Sequence, residues 1–400
     1  MALRVPSYRA WFLSQVVSTS GTLAQTVGVA WLVLQLGGNA IDLGLVSAAM
    51  FAPVLLGGVW AGSLADRVDR RRLLLTTQLL FLLVAVCLVV VTVTDVARLW
   101  ILFALSFAGG CVLAIDGPAR QVYVLDLVGT ERAASAVGLY EVVQNVSRVL
   151  GPAVGGVLLA TSGVSACFIA NAASFLPAIA ALVFYRPLAK LDRATPRSKR
   201  GHVRAGLRYV RRAPAIRATM LMAVASGMIF NAGVTLPLVA TRVFHLGPSG
   251  FGAMFATFGV GAVGGAVLAA GGGSWPTGRR VRLLALLTGT DVVLTGFAPD
   301  VAIAFFGLAL AGLLSIWFIA LANTLVQVRT APALRGRVMG IWTMALPGMN
   351  PVTGLLAGVT AQAVGPREGF ALGGVALALT AALGWGALTD GDRMSTNAPS

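Results

Sequence analysis

Glu141, Asn145 and Arg148 are spaced i, i+4 and i+7 within an apolar run, so a helix there carries all three on one face. Glu141 and Arg148 are separated by roughly 10 Å of helical rise, a gap that long side chains, Asn145 or a water can bridge. In an apolar setting burial favours the neutral acid and the arginine favours the carboxylate, an opposition that makes a carboxyl a usable proton carrier. The alternative is a purely structural charge pair. Asp116 and Arg120, four apart, can pair on one helix as a structural or gate contact, with proton carriage as a second reading. Asp291 stands in another apolar run without an evident local partner and is a further coupling candidate. No other chemistry is legible. His202 and His245 are isolated, and Cys87, Cys111 and Cys167 fall singly with no metal-ligand or disulfide spacing. There is no phosphate-binding glycine loop and no nucleophile–base set. The reading is therefore no enzyme, no metal and no cofactor.

A second group of residues has binding rather than proton chemistry. Gln15, Ser18, Thr22 and Gln25 recur at intervals of 3, 4 and 3, one polar stripe on an otherwise apolar helix. Lipid cannot satisfy such a stripe, so it must face protein or a watery cavity. Less regular counterparts in the second half are Asn231, Trp317, Trp342 and Asn350. With Asn145 they are candidates to line an apolar cavity with sparse amides, suited to a large amphiphile bound with loose specificity. For each tryptophan, interfacial anchoring or packing is the competing reading.

Membrane helices must position these residues. The 400 residues are 57% hydrophobic and only 11% charged, too few charges for a soluble chain of this length. Repeated apolar runs of about twenty residues predict a polytopic all-α membrane protein. Twelve transmembrane helices are expected at 10–36, 41–64, 73–94, 98–122, 133–160, 164–185, 217–241, 249–270, 281–298, 301–325, 337–360 and 367–389. Placing both termini in the cytoplasm puts every Lys and Arg except Arg98, Arg148, Arg242 and Arg367 on that side, the asymmetry the positive-inside rule demands. The net charge of +16 then reflects orientation and an anionic inner leaflet, not nucleic acid. A basic linker at 189–215, with an amphipathic stretch near 204–212, separates a first six-helix bundle (1–188) from a second (216–390), followed by a cytoplasmic tail (391–400). A monomer is expected.

Between the second and third runs lies Gly62–Leu75, GSLADRVDRRRLLL, expected to be a tight surface loop. With Gly62, Leu64, Ala65, Asp66, Arg67, Arg70, Arg71 and Leu75 it resembles the loop between the second and third helices of the major facilitator superfamily. Asp69 stands where that family usually has glycine. The second half repeats the layout but lacks the acid. Asp116–Gln121 (DGPARQ), followed by Asp126, Glu131-Arg132, Asn145 and Arg148, resembles the drug:proton antiporter branch with macrolide-type and siderophore exporters. So do Gly138, Ser147, Gly151, Pro152, Gly155 and Gly156, with serine in place of the middle glycine of that branch's fifth-helix signature. The resemblance implies the major facilitator fold, two six-helix bundles related by an axis along the membrane normal. It implies a gate at Gly62, Asp66, Arg67, Arg70 and Arg71, and a fifth helix that seals the outer side. The implied activity is proton-driven export of amphiphilic drug-like compounds across the bacterial inner membrane. A dedicated exporter of an endogenous metabolite such as a siderophore is the alternative, and a transport-inactive scaffold or sensor is a third reading.

Overall fold

The computed structural model describes residues 2–129, 132–185, 202–271, 276–331, 334, 338–339, 341–342 and 347–388. Within its helices some side chains, among them those of Asp66, Arg67, Glu141 and Asn145, lie outside that description. The described chain is helical, and two compact units divide it: Met1–Arg197 with Leu246–Ala256, and Ser198–His245 with Thr257–Ser400.

The first unit holds α1 (Pro6–Gln35), α2 (Ala40–Arg67), α3 (Arg70–Val93), α4 (Leu99–Val128), α5 (Ala133–Ser162) and α6 (Val164–Phe184). α1 packs on α5 and α6, α2 on α4, and α3 on both α4 and α6. Small residues set the closest approaches. A methyl group on Gly110 of α4 would sit 2.2 Å from the Met50 carbonyl oxygen of α2. α2 starts on a reciprocal cap: the Asn39 side chain accepts from the N–H of Ile41 and Asp42, and Asp42 accepts from the Asn39 N–H at 2.8 Å.

The corner between α2 and α3 differs from expectation. The surface loop expected over Gly62–Leu75 is reduced to two residues; α2 runs through Arg67, and only Val68 and Asp69 separate it from α3. Ala61, Leu64 and Ala65 are strong helix formers, and Asp66 and Arg67 extend the helix past its apolar part. Asp69 has φ −61° and ψ 115°, and its side chain accepts from the Arg72 N–H at 3.0 Å. It is the N-cap of α3, and the backbone there needs no glycine.

The second unit contains α7 (His202–Arg212), α8 (Pro214–Phe230), α9 (Ala232–Leu238), α11 (Gly278–Gly296), α12 (Val301–Arg329), α13 (Asn350–Ala363) and α14 (Pro366–Leu383). α10 (Pro248–Gly271) starts in the first unit and continues in the second. There Gly261 and Gly265 face the backbone carbonyls of Ala309 and Leu313 on α12. The single helix expected at 217–241 is broken. α8 ends at Asn231, α9 follows, and a π turn closes Val239–Val243. Pro237 removes an N–H from the ladder, and Asn231 spends its side chain across the unit instead of on its own helix.

Among the described residues nine helices are long and apolar enough to span a bilayer. Three expected spans are not among them: α11 carries Arg279, Arg280, Arg282 and Asp291, α14 opens on Arg367 and Glu368, and the span expected at 337–360 falls partly outside the described residues, with α13 its longest described part.

Candidate transport site in the first unit

α4 supplies the central ion pair. Asp116 is 1% exposed and lies 2.5 Å from Arg120, one turn further along. The carboxylate also accepts from Thr77 Oγ1 at 2.7 Å and from Gln78 Nε2 at 3.1 Å, both on α3. Arg120 Nη1 donates to Gln15 Oε1 on α1. One hydrogen-bonded chain thus joins α1, α4 and α3, with Gln15 and Gln78 at its ends. Three of its atoms, Gln15 Nε2, Gln78 Oε1 and Arg120 Nε, are buried without a hydrogen-bond partner among the described residues. Thr77 and Gln78 did not stand out in the sequence. Their signal is an adjacent polar pair inside the apolar run LLLTTQLLFLL.

The remainder of the α1 stripe turns elsewhere. Thr22 Oγ1 donates to the Ser18 carbonyl at 3.0 Å and contacts Asn171 Oδ1 at 3.5 Å. Asn171 Nδ2 donates to Gln25 Oε1 at 2.7 Å. Ser18 is buried at 2% exposure. Thr22 is therefore satisfied within its own helix and Gln25 Oε1 by Asn171 of α6, a residue the sequence did not single out; of the stripe, only Gln15 reaches the ion pair among the described contacts.

The basic cluster at the α3 start ties the unit together at one end. Arg70 Nη1 lies 3.0 Å from each oxygen of Asp126 on the last turns of α4. Arg71 donates to the Leu182 and Val183 carbonyls at 2.6 and 2.8 Å, capping the C-terminus of α6. Gly62, Asp66 and Arg67 lie on α2 with side chains outside those described.

On α5, Ser147 donates to the Val16 carbonyl at 3.3 Å. A Cβ on Gly151 would meet Ser20 and Leu23, and one on Gly155 would meet Ala24 and Val27, all on α1. The small-residue face of α5 is thus an α1-packing face. Pro152 is buried beside it. Gly156 faces Gly252 in the part of α10 belonging to this unit, where a Cβ would stand 2.5 Å from the Gly252 Cα. Gly138 is exposed with open space around it. Arg148 is half-buried on the same helix, whereas the side chains of Glu141 and Asn145 lie outside the described set.

In the second unit, Asn231 Nδ2 donates to Thr353 Oγ1 at 2.7 Å and to the Asn350 carbonyl at 3.2 Å. These bonds pin the break in the seventh expected helix to the start of α13. Trp342 is 4% exposed within the apolar core, and Trp317 packs against that core, so both are held by packing contacts. Asp291 is half-buried on α11, and its Oδ2 has no hydrogen-bond partner among the described residues. Its distance in sequence from the α4 pair is matched by its place in the other unit. No group of three or more His, Cys, Asp or Glu that could hold a metal occurs among the described residues.

Comparison with known proteins fits this architecture. The chain is 28% identical over 360 residues to the multidrug efflux pump Tap of Mycolicibacterium fortuitum, covering 86% of each chain. It is 31% identical over 170 residues to the staphyloferrin A transporter of Staphylococcus aureus, covering 42% of this chain and 43% of that one. The chain spans about half the length of two of the curated relatives it matches, 56% and 43%. The crystal structure of a bacterial homologue of the human lysosomal transporter Spinster, inward-facing and occupied, superimposes with a TM-score of 0.74 at 15% identity over 97% of both chains. A family model described as transmembrane secretion effector matches residues 1–395. The chain is thus a multi-pass membrane protein and belongs to the transmembrane secretion effector family of the major facilitator superfamily.

Proposed function

We propose that this transporter exports amphiphilic drug-like compounds from the bacterial cytoplasm in exchange for protons, by alternating access of two six-helix bundles built from twelve helices, with both termini cytoplasmic. The observation that carries the coupling is the Asp116–Arg120 pair. A carboxylate buried at membrane depth is expensive unless it is paired, and charges so placed mark ion pathways. Arg120 and the Thr77 and Gln78 donors all point their hydrogen bonds at the Asp116 carboxyl group. A proton arriving at Asp116 weakens those bonds and frees Arg120 and Gln15. In this way protonation on α4 is transmitted to α1 and α3. Glu141 with Arg148, and Asp291, remain further carriers by the same chemistry.

The similarity to Tap supports the drug-efflux reading. The similarity to the staphyloferrin A transporter favours the second reading, a dedicated exporter of an endogenous metabolite. The test is proteoliposomes carrying the purified chain, loaded with ethidium and given a pH step acid on the side to which substrate is expelled. Ethidium should leave the compartment only with the gradient. Asp116→Asn should abolish the gradient-driven part while residual dye binding persists. Gradient-driven efflux unchanged in Asp116→Asn, Glu141→Gln and Asp291→Asn alike would sink proton coupling through these acids.

A further inference from the structure

We propose that α7 is a docking surface for anionic phospholipids of the bilayer, which its outward arginines bind while its inward face holds it against the second unit. The inference does not depend on what the protein transports or in which direction.

The chain sets α7 at the membrane surface. The amphipathic stretch expected near 204–212 is this helix, and it stops one residue before the membrane span that opens at Pro214. Ala213 precedes proline, whose ring disfavours helical backbone at the residue before it, and takes φ −102° and ψ 94°. The helix axis therefore breaks at the entry to α8. The inward face of α7 is fixed. Val210 is 6% exposed within the apolar core of the unit, and Tyr209 packs against that core. The Tyr209 hydroxyl accepts from the Ala331 N–H at 3.3 Å and lies 3.5 Å from the Arg329 carbonyl, where α12 ends. α7 thus sits at the end of the unit where α8 starts and α12 finishes.

The outward face is cationic. Leu207, Arg208, Arg211 and Arg212 are all exposed, and at 100° per residue they fall within an arc of roughly 140° on the other side of the helix. None of the three arginines forms an ion pair among the described residues. Only 297–300 separate α11 from α12, and the two helices pack together, so α11 starts at this same end, with Arg279 and Arg280 exposed there. No aspartate or glutamate occurs from 193 to 290. The described acids of the unit stand elsewhere. Asp291 is within α11, while Asp300 and Glu368 open α12 and α14 at the opposite end.

Charge and position select the occupant. Arg211 and Arg212 lie within three residues of Pro214, a reach of about 10 Å and comparable with the Debye length. Phosphate headgroups around the span are therefore within their field. A helix with arginines on its polar face and an apolar side chain among them suits the boundary between headgroups and acyl chains, and Leu207, 41% exposed, supplies that side chain. A soluble polyanion would use the arginines and leave Leu207 without a role. Each basic residue near an anionic membrane surface adds about fivefold to the affinity.

The experiment uses the full chain in a neutral detergent and native mass spectrometry, with phosphatidylglycerol and phosphatidylcholine of identical acyl chains added in turn. The unaltered chain should retain phosphatidylglycerol more tightly. Arg208→Gln, Arg211→Gln and Arg212→Gln should each lower that affinity about fivefold and leave phosphatidylcholine unchanged. Lysine at the same three positions should preserve the preference. The preference is first read on the unaltered chain, so it does not depend on the variants folding. Equal retention of the two lipids by the unaltered chain overturns the proposal, as does a preference that survives the triple glutamine variant. A preference lost in the lysine variants as well overturns charge as its cause. Glycerol 3-phosphate carries the phosphate without the acyl chains; if it displaces phosphatidylglycerol at equal concentration, the surface takes free phosphate and the lipid proposal fails. A short DNA strand held more tightly than phosphatidylglycerol overturns it in favour of nucleic acid.

Discussion

Arg70, the first residue of α3, places one guanidinium nitrogen 3.0 Å from both carboxylate oxygens of Asp126 near the end of α4. Beside it Arg71 closes the last carbonyls of α6. Two adjacent arginines thus fasten three helix ends. A cluster that orientation alone would explain also has a mechanical role.

Asp126→Ala leaves Arg70 half-buried and unpaired and is expected to destabilise the protein by about 1–2 kcal/mol, because removing one partner strands the other. The check is thermal unfolding in detergent followed by tryptophan fluorescence. The Arg70→Ala/Asp126→Ala double variant should be less unstable than the sum of the single variants; strict additivity would show that the two do not interact.

The cap at Asp69 gives a graded expectation. Asp69→Ala should cost roughly 1 kcal/mol, Asp69→Gly only a few tenths, and Asp69→Ser close to nothing. An equal loss for all three in the same unfolding assay would remove the cap as the reason for aspartate there.

Gly156 and Gly138 belong to one signature but should respond oppositely to an added side chain. Gly156→Val drives a side chain into the Gly252 backbone and should abolish monodisperse expression. Gly138→Ala enters open space on a helix and should raise stability by up to about 1 kcal/mol. Size-exclusion profiles and melting temperatures of the two variants decide it.

Thr353→Val removes the 2.7 Å partner of Asn231 while keeping the shape of the side chain. A loss of about 1–2 kcal/mol is expected, with hydrogen exchange accelerated around 231 more than elsewhere. Unchanged exchange at the break would show that Thr353 does not hold it.

The helices were legible because apolar runs of membrane length leave little choice of structure, and most observed bounds lie within a few residues of those expected. The α2–α3 corner was misread because Asp66, Arg67 and three arginines have loop-like composition. The sequence does not announce that Asp126 and the α6 carbonyls wait to receive two of those arginines. The Asp116–Arg120 spacing was visible because both lie on one helix. Gln15's reach to Arg120, Gln25's to Asn171 and the α1 partner of the α5 glycines are facts of tertiary packing, and no periodicity within one helix encodes which neighbour it meets. The break at Asn231 escaped notice for the same reason: its side chain is paired with Thr353, more than a hundred residues away.

The cap at position 69 has a consequence for how relatives are recognised. Glycine and aspartate share neither size nor charge, yet each lets a chain turn and begin a helix, one by conformational freedom and the other by supplying an acceptor. A pattern search that demands glycine between these helices filters by one solution to the corner and passes over chains that use the other. A search written for the corner itself, any residue able to start a helix two positions after α2 ends, would gather both.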